Sequence, residues 1–184
     1  ALSAMDPAAA AKILGAMDAN AAAAILDAMD PDAAAAALLE MKPSDAARIL
    51  NAASAETAAG ILSRMGDSSA AAALLVEMDP ASASAALSKM NAADASRLLT
   101  AIAAGAGGGD SSSSLSVAAR LLAGMDPVAA AEALTMMDPK VAGSLLANVD
   151  DAATAARLLS MLDDSKAIEI LCALDDVDVA AKML

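Results

Sequence analysis

Hydrophobic and polar positions repeat along this chain every twelve residues, except for steps of thirteen to Met78 and Leu162 and an interruption between Ile102 and Met125. Each unit starts with a methionine or another apolar residue, continues with a helix-capping residue, and carries an aliphatic pair shortly before the next unit. A period this short and regular predicts a repeat protein. The unit starts are Met5, Met17, Met29, Met41, Ala53, Met65, Met78, Met90, Ile102, Met125, Met137, Val149, Leu162 and Leu174.

The prolines indicate where the helices begin. All six stand two residues after a unit start, and five of them follow an aspartate. An aspartate side chain can accept a hydrogen bond from a free N–H of the first turn, and proline has no N–H to leave unpaired. Each unit therefore predicts one helix of roughly nine or ten residues, too short to be stable alone. The six are Pro7, Pro31, Pro43, Pro80, Pro127 and Pro139.

These helices must pack on their neighbours, so the predicted fold class is all-α. We expect an α-solenoid, or superhelix, of about 13 twelve-residue repeats in two blocks. The methionine column beside the aliphatic pairs is interpreted as core, and a Met-rich binding groove is the alternative. With 59% hydrophobic residues and no Phe, Tyr or Trp, that core must consist of Ile, Leu, Val, Met and Ala. The single cysteine, Cys172, is interpreted as a small buried residue.

A glycine- and serine-rich segment interrupts the repeat. Residues 104–114 read AGAGGGDSSSS, a composition typical of a flexible linker, and an extended loop on the rim of the solenoid is the alternative. We therefore predict a first repeat block over residues 1–102, a linker or loop over residues 103–116, and a second repeat block over residues 117–184. Both end units lack polar caps, so we expect partners or further repeats to cover them.

The net charge of -13 makes several functions improbable. A surface with 24 acidic and 11 basic residues repels phosphate, and a chain without aromatic rings has nothing to stack on bases, so we expect no nucleic-acid binding. Apolar runs are too short for a membrane span, so we expect a soluble protein for which peripheral docking on a membrane complex remains open. Without histidine or a phosphate-binding loop, we expect neither an enzyme nor an organic cofactor.

A row of basic residues recurs at one position of the repeat. We interpret it as a solvated or ion-paired row, and a docking stripe for an acidic partner is the alternative. The row consists of Lys12, Arg48, Arg97, Arg120 and Arg157.

The phrase Ile-Leu-x-x-Met-Asp-Pro-x-x-Ala-Ala resembles the cytoplasmic N-terminal domain of MgtE-type magnesium transporters, and also segments of flagellar motor proteins. The resemblance covers the chain except for residues 103–116. It implies a right-handed superhelix of short single helices that serves as a docking and regulatory surface. The regulatory module and membrane pore that accompany this domain in the transporters have no counterpart in the sequence, so we do not expect transport.

Magnesium is the one metal that the sequence suggests. In the resembled family an acidic surface contributes to magnesium sensing, and Mg²⁺ prefers oxygen ligands. The favoured interpretation of the same carboxylates is helix capping. The candidates are the paired aspartates Asp150, Asp151, Asp163, Asp164, Asp175 and Asp176, with Asp178 nearby.

Two functional hypotheses follow. The first is a non-enzymatic scaffold or linker subunit that contacts other protein subunits of a large assembly. An alanine-rich chain without aromatic residues suits a processed plastid subunit, such as one bridging proteins of a photosynthetic membrane complex. The second hypothesis is a magnesium-responsive regulatory domain like that of the transporters.

Overall fold

The computed structural model describes residues 5–106, 108 and 110–174. In these ranges the chain forms thirteen α-helices and no β-strand, which confirms the predicted all-α class. The helices are α1 (Pro7–Ala16), α2 (Ala19–Asp27), α3 (Pro31–Leu39), α4 (Pro43–Ala52), α5 (Ala55–Arg64), α6 (Ser68–Glu77), α7 (Pro80–Lys89), α8 (Ala92–Ala103), α9 (Ser111–Gly124), α10 (Pro127–Met136), α11 (Pro139–Ala147), α12 (Ala152–Ser160) and α13 (Asp164–Cys172).

Each proline is the first residue of a helix, as the sequence predicts. Asp30, for example, precedes Pro31 and accepts hydrogen bonds from the backbone N–H groups of Asp32 and Ala33 at 3.0 and 3.3 Å. Helix α4 differs, because Lys42 stands before Pro43 and makes no side-chain cap. Proline is compatible with a helix start even there, since its fixed φ suits the first turn.

The helices stack with a spacing of two along the chain. Each of α1 to α11 packs on the helix two positions later, so odd-numbered and even-numbered helices form two adjoining stacks. This arrangement confirms the α-solenoid. The twelve-residue period predicts that neighbouring helices pack but not which pairs do so. Contacts between consecutive helices are on the whole less extensive than those between alternate ones.

Four positions of the repeat build the core. In α4 these are the small residues Ala46 and Ala47 and the aliphatic pair Ile49 and Leu50, all of them buried. Small side chains on the packing face let the helix axes approach closely, and the aliphatic pair fills the space between the stacks. The same four positions recur along the chain, so each turn of the solenoid extends one continuous core.

The methionine column is core in the middle of the solenoid and partly exposed near its beginning. The column is buried at Met65, Met78, Met90, Met125 and Met137, as predicted. Met5 is 41% exposed, and Met17, Met29 and Met41 are partly buried. Burial of the column therefore increases from Met5 to Met65.

The last part of the segment predicted as a linker, from Ser111 onward, is helical. Helix α8 continues to Ala103 and α9 already begins at Ser111, where the Asp110 carboxylate accepts a hydrogen bond from the Ser113 N–H at 2.8 Å. The expectation that residues 104–114 lack structure is therefore wrong from Ser111 onward. The physical reason is the Asp110 cap, which starts a helix in spite of the serines that follow.

The remaining turn between α8 and α9 relies on glycine. Gly105 and Gly108 have φ angles of 87 and 85°, in the left-handed region where glycine carries no Cβ penalty. Beyond this turn the stacking rule holds, because α7 packs on α9 and α8 packs on α10. The two predicted repeat blocks are therefore in direct contact.

Cys172 differs from its predicted burial. The side chain is exposed at the end of α13, because the described helices pack on the opposite face through Ile170.

Candidate functional site

The paired aspartates lie at the starts of α12 and α13. The Asp151 carboxylate accepts hydrogen bonds from the Thr154 hydroxyl at 2.6 Å and from the N–H groups of Ala153 and Thr154 at 3.1 and 3.2 Å. These bonds, the hydroxyl first, lower the pKa of Asp151 below its ordinary value. Asp163 accepts a hydrogen bond from the Lys166 N–H at 2.8 Å. Capping therefore accounts for one member of each pair.

The other member of each pair is exposed. The Asp150 and Asp164 carboxylates make no hydrogen bond or ion pair with another residue of the described ranges. Asp175 and Asp176, with Asp178, lie outside those ranges. Among the residues that are described, no three His, Cys, Asp or Glu side chains come close enough together to hold a metal ion. The structure thus separates the two described pairs, and the magnesium site stays a prediction.

The basic row is only partly ion-paired. Arg97 contacts Asp94 at 3.1 Å and the Ser68 hydroxyl at 3.4 Å. The other members of the row are exposed and form no ion pair within the described part of the chain. The sequence pattern did not identify three further ion pairs, because their cations lie outside the row, and in two of them the acid lies on a helix distant in sequence. Those pairs are Arg64 with Asp32, Lys89 with Glu56, and Lys166 with Glu169.

Two side chains fasten later helix starts to the solenoid. The Asn51 side-chain oxygen, on α4, accepts a hydrogen bond at 3.0 Å from the Asp79 N–H, which precedes α7. The Ser88 hydroxyl, on α7, accepts one at 2.8 Å from the Asp126 N–H, which precedes α10. Asn51 and Ser88 both stand ten residues after a unit start, and each bond spans three helices. We call these two contacts the cap ties.

A related polar cluster lies between α2 and α5. The Asp27 carboxylate, also ten residues after a unit start, accepts hydrogen bonds from the hydroxyls of Ser54 and Thr57. Glu56 lies nearby. A hydrogen bond from the Glu56 backbone N–H and the Lys89 ammonium lower the pKa of the Glu56 carboxyl. The cluster borders a cavity of about 230 Å³, and its carboxylates are satisfied by these internal contacts.

The repeat leaves a larger opening where the glycine turn interrupts it. We call this opening the junction groove, a cavity of about 310 Å³ between α8, α9 and α11. Sequence reasoning could not find it, because it depends on the extra residues at the end of α8 and the start of α9. Its lining consists of Thr100, Ala103, Ala104, Leu115, Lys140, Val141 and Ser144.

Apolar side chains are also exposed on the outside of the solenoid. On α10, Val128 is 55% exposed and Met136 is 60% exposed, although α10 lies well inside the repeat array. Missing neighbours at an array end cannot explain this exposure. None of the helices in the described ranges has the length and hydropathy needed to cross a bilayer.

The fold and repeat place this chain among the α-solenoid proteins. Residues 1–66, which contain α1 to α5, match the family model of the MgtE intracellular N domain, and this match confirms the resemblance over that stretch. Helices α6 to α13 continue the same twelve-residue pattern beyond the matched residues. Neither a curated protein nor a solved structure matches the chain.

Proposed function

We propose that this chain is a non-enzymatic helical domain of the MgtE intracellular N type that docks on other protein subunits and has a regulatory or structural role. The observation that carries this proposal is the family match over residues 1–66, combined with the unbroken stacking that extends the same architecture through α13. A solenoid offers an elongated surface with little chemistry of its own, which suits protein contacts. The match gives no support to a photosynthetic complex or a plastid location.

The docking surface that we favour lies on α10. Val128 and Met136 expose apolar area that no described helix covers, and methionine adapts readily to different partner shapes. Glu132 stands between them in sequence and is exposed as well. An apolar contact flanked by a carboxylate is consistent with the core and rim of a protein interface.

The test is purification of the tagged full chain from its native source, followed by native sizing and mass spectrometry. The chain should migrate with a stable set of subunits. A variant combining Val128→Glu and Met136→Glu should lose them. The matched control combines Ser69→Glu and Ala93→Glu, at exposed positions of α6 and α8, and should keep them. A wild-type chain that migrates as a lone monomer, or subunits retained by both variants, would contradict the proposal.

A magnesium response is the second candidate function. Its support is the acidic charge of -13 and the small number of ion pairs in the described ranges, together with the family match. Divalent cations would reduce the repulsion between the adjacent aspartates at the starts of α12 and α13. Asp150 and Asp164 are the natural residues to change, because neither is a helix cap and both can lose their charge without a lost cap.

The magnesium response is tested by thermal unfolding in EDTA and in millimolar MgCl₂, with NaCl matching the ionic strength. Magnesium should raise the Tm beyond the effect of NaCl, and the Asp150→Asn, Asp164→Asn variant should lose that difference. A control with the same charge change, Glu40→Gln with Glu77→Gln, should retain it. Equal Tm values in EDTA and magnesium would reject the response.

A further inference from the structure

The junction groove exists because the repeat is irregular at one place. A regular unit ending at Met125 would begin its helix at Leu115, whereas α9 begins at Ser111. Helix α8 likewise continues to Ala103, two residues beyond the corresponding end of α7. Ala103 at the end of α8 and the Ala104 that follows it, with Leu115 on α9 and Val141 on α11, make one side of the groove apolar. This apolar wall consists of Ala103, Ala104, Leu115 and Val141.

Thr100 on the groove wall occupies the repeat position of the cap ties and makes no tie itself. Thr100 stands ten residues after Met90, the same repeat position as Asn51 and Ser88, and its helix lies three before α11. By analogy its hydroxyl would accept a hydrogen bond from the N–H of Asp138. That bond is absent, and the Thr100 hydroxyl makes no side-chain hydrogen bond to another residue of the described ranges.

Lys140 brings a cation to the same groove. Its ammonium group forms no ion pair within the described part of the chain, although 24 acidic residues are present in the sequence. Ser144, the third polar residue of the lining, already donates its hydroxyl to the Lys140 carbonyl at 2.8 Å. The groups that remain available are therefore a lysine ammonium, which can only donate, and the Thr100 hydroxyl.

We propose that the junction groove binds a small carboxylate amphiphile, whose tail lies on the apolar wall and whose carboxylate contacts Lys140 and Thr100. The volume of about 310 Å³ is at the lower end of the range for ligand pockets, roughly 300 to 1,000 Å³, so the ligand is a short-chain molecule. An apolar surface with a few convergent polar groups is typical of such sites. The donors select an anion because charge-assisted hydrogen bonds are about twice as strong as neutral ones.

The first test titrates the full chain with sodium octanoate and follows binding by calorimetry and by NMR amide shifts. Octanoate should bind saturably and shift the amides around the groove. The Lys140→Gln variant should bind roughly tenfold more weakly, because it loses the charge-assisted contact. Lys42→Gln makes the same charge change on α4, away from the groove, and should alter the affinity by less than about twofold.

The second test fills the groove. Ala104→Leu adds volume at an exposed position of the apolar wall, so the fold should keep its Tm while octanoate binding is lost. The neutral analogue 1-octanol should bind the wild-type chain more weakly than octanoate does. The Lys140→Gln variant should bind octanol and octanoate with equal affinity. The proposal is overturned if binding is not saturable, if Lys140→Gln and Lys42→Gln behave alike, or if Ala104→Leu binds as the wild type does.

Discussion

The Asn51 side-chain oxygen accepts a hydrogen bond from the Asp79 N–H across 3.0 Å, although two complete helices separate them along the chain. Because the bond joins the end of α4 to the start of α7, it fixes the distance between successive turns of the solenoid. We expect Asn51→Ala to lower the free energy of unfolding by about 0.5 to 1.5 kcal/mol, measured by urea denaturation. Asn20→Ala, at an exposed position of α2 with no side-chain bond, should change it by less than about 0.5 kcal/mol.

Gly124 lies where α9 crosses α7 at close range. A Cβ at this position would stand 2.7 Å from the Ser84 Oγ and 3.1 Å from its Cβ. Ser84 is buried and donates its hydroxyl to the Pro80 carbonyl, so it cannot move aside without losing that bond. Gly124→Ala should therefore lower the free energy of unfolding by about 1 to 3 kcal/mol, the usual effect of overpacking.

Gly60 supplies the opposite prediction. It lies inside α5, and a Cβ there would meet no atom within 4 Å. Gly60→Ala should raise the free energy of unfolding by about 0.5 to 1 kcal/mol, because alanine loses less backbone entropy in a helix. Urea denaturation of Gly124→Ala and Gly60→Ala side by side separates the steric effect of an added Cβ from the higher helix propensity of alanine. If both substitutions raise the free energy of unfolding, the predicted steric conflict between Gly124 and Ser84 is contradicted.

An aspartate that caps a helix is expected to contribute more to the free energy of unfolding than a nearby aspartate that makes no cap. Asp126 accepts hydrogen bonds from the N–H groups of Val128 and Ala129 at 3.0 and 3.4 Å. Asp126→Ala should lower the free energy of unfolding by about 1 kcal/mol, and Asp126→Asn by much less, because asparagine caps as well. Asp150→Ala is the control and should have little effect. An equal loss for Ala and Asn at Asp126 would show that charge, and not the cap, is responsible.

The lowered pKa of Asp151 predicts how its contribution varies with pH. The Thr154 hydroxyl and the N–H groups of the first turn bind the ionised carboxylate, so folding depresses the pKa below its unfolded value of 3.8. The stabilisation is therefore fully present above that value and is lost as the pH falls through the folded pKa. Thr154→Val removes the hydroxyl and should raise the pKa of Asp151 toward its ordinary value. An NMR titration of the carboxylate measures this, and an unchanged midpoint would contradict it.

Local signals in the sequence predicted the helices well. The pairing of Asp126 with Pro127 starts α10 through contacts within four residues, so its effect is visible in the sequence itself. The period likewise identified the aliphatic pair Ile49 and Leu50 as core, because burial follows the packing face of each helix.

Features that depend on distant residues could not be predicted in this way. The early start of α9 required the Asp110 cap to outweigh a composition typical of a linker. The groove at Thr100 and Lys140 depends on how far α8 and α9 extend toward α11, and no repeat pattern encodes that distance. The separation of the pairs at Asp150 and Asp163 is also set by stacking, so counting carboxylates could not establish whether they meet.

The packing of each helix on the one two positions later has a consequence for synthesis of the chain. Most packing contacts join helices two positions apart, so the sequence separation between contacting residues stays small and folding is expected to be fast. During translation, each helix from α3 onward leaves the ribosome after the helix two positions before it has been made. The solenoid can therefore assemble from its N-terminus at the pace of elongation, with little apolar surface waiting for residues not yet synthesised.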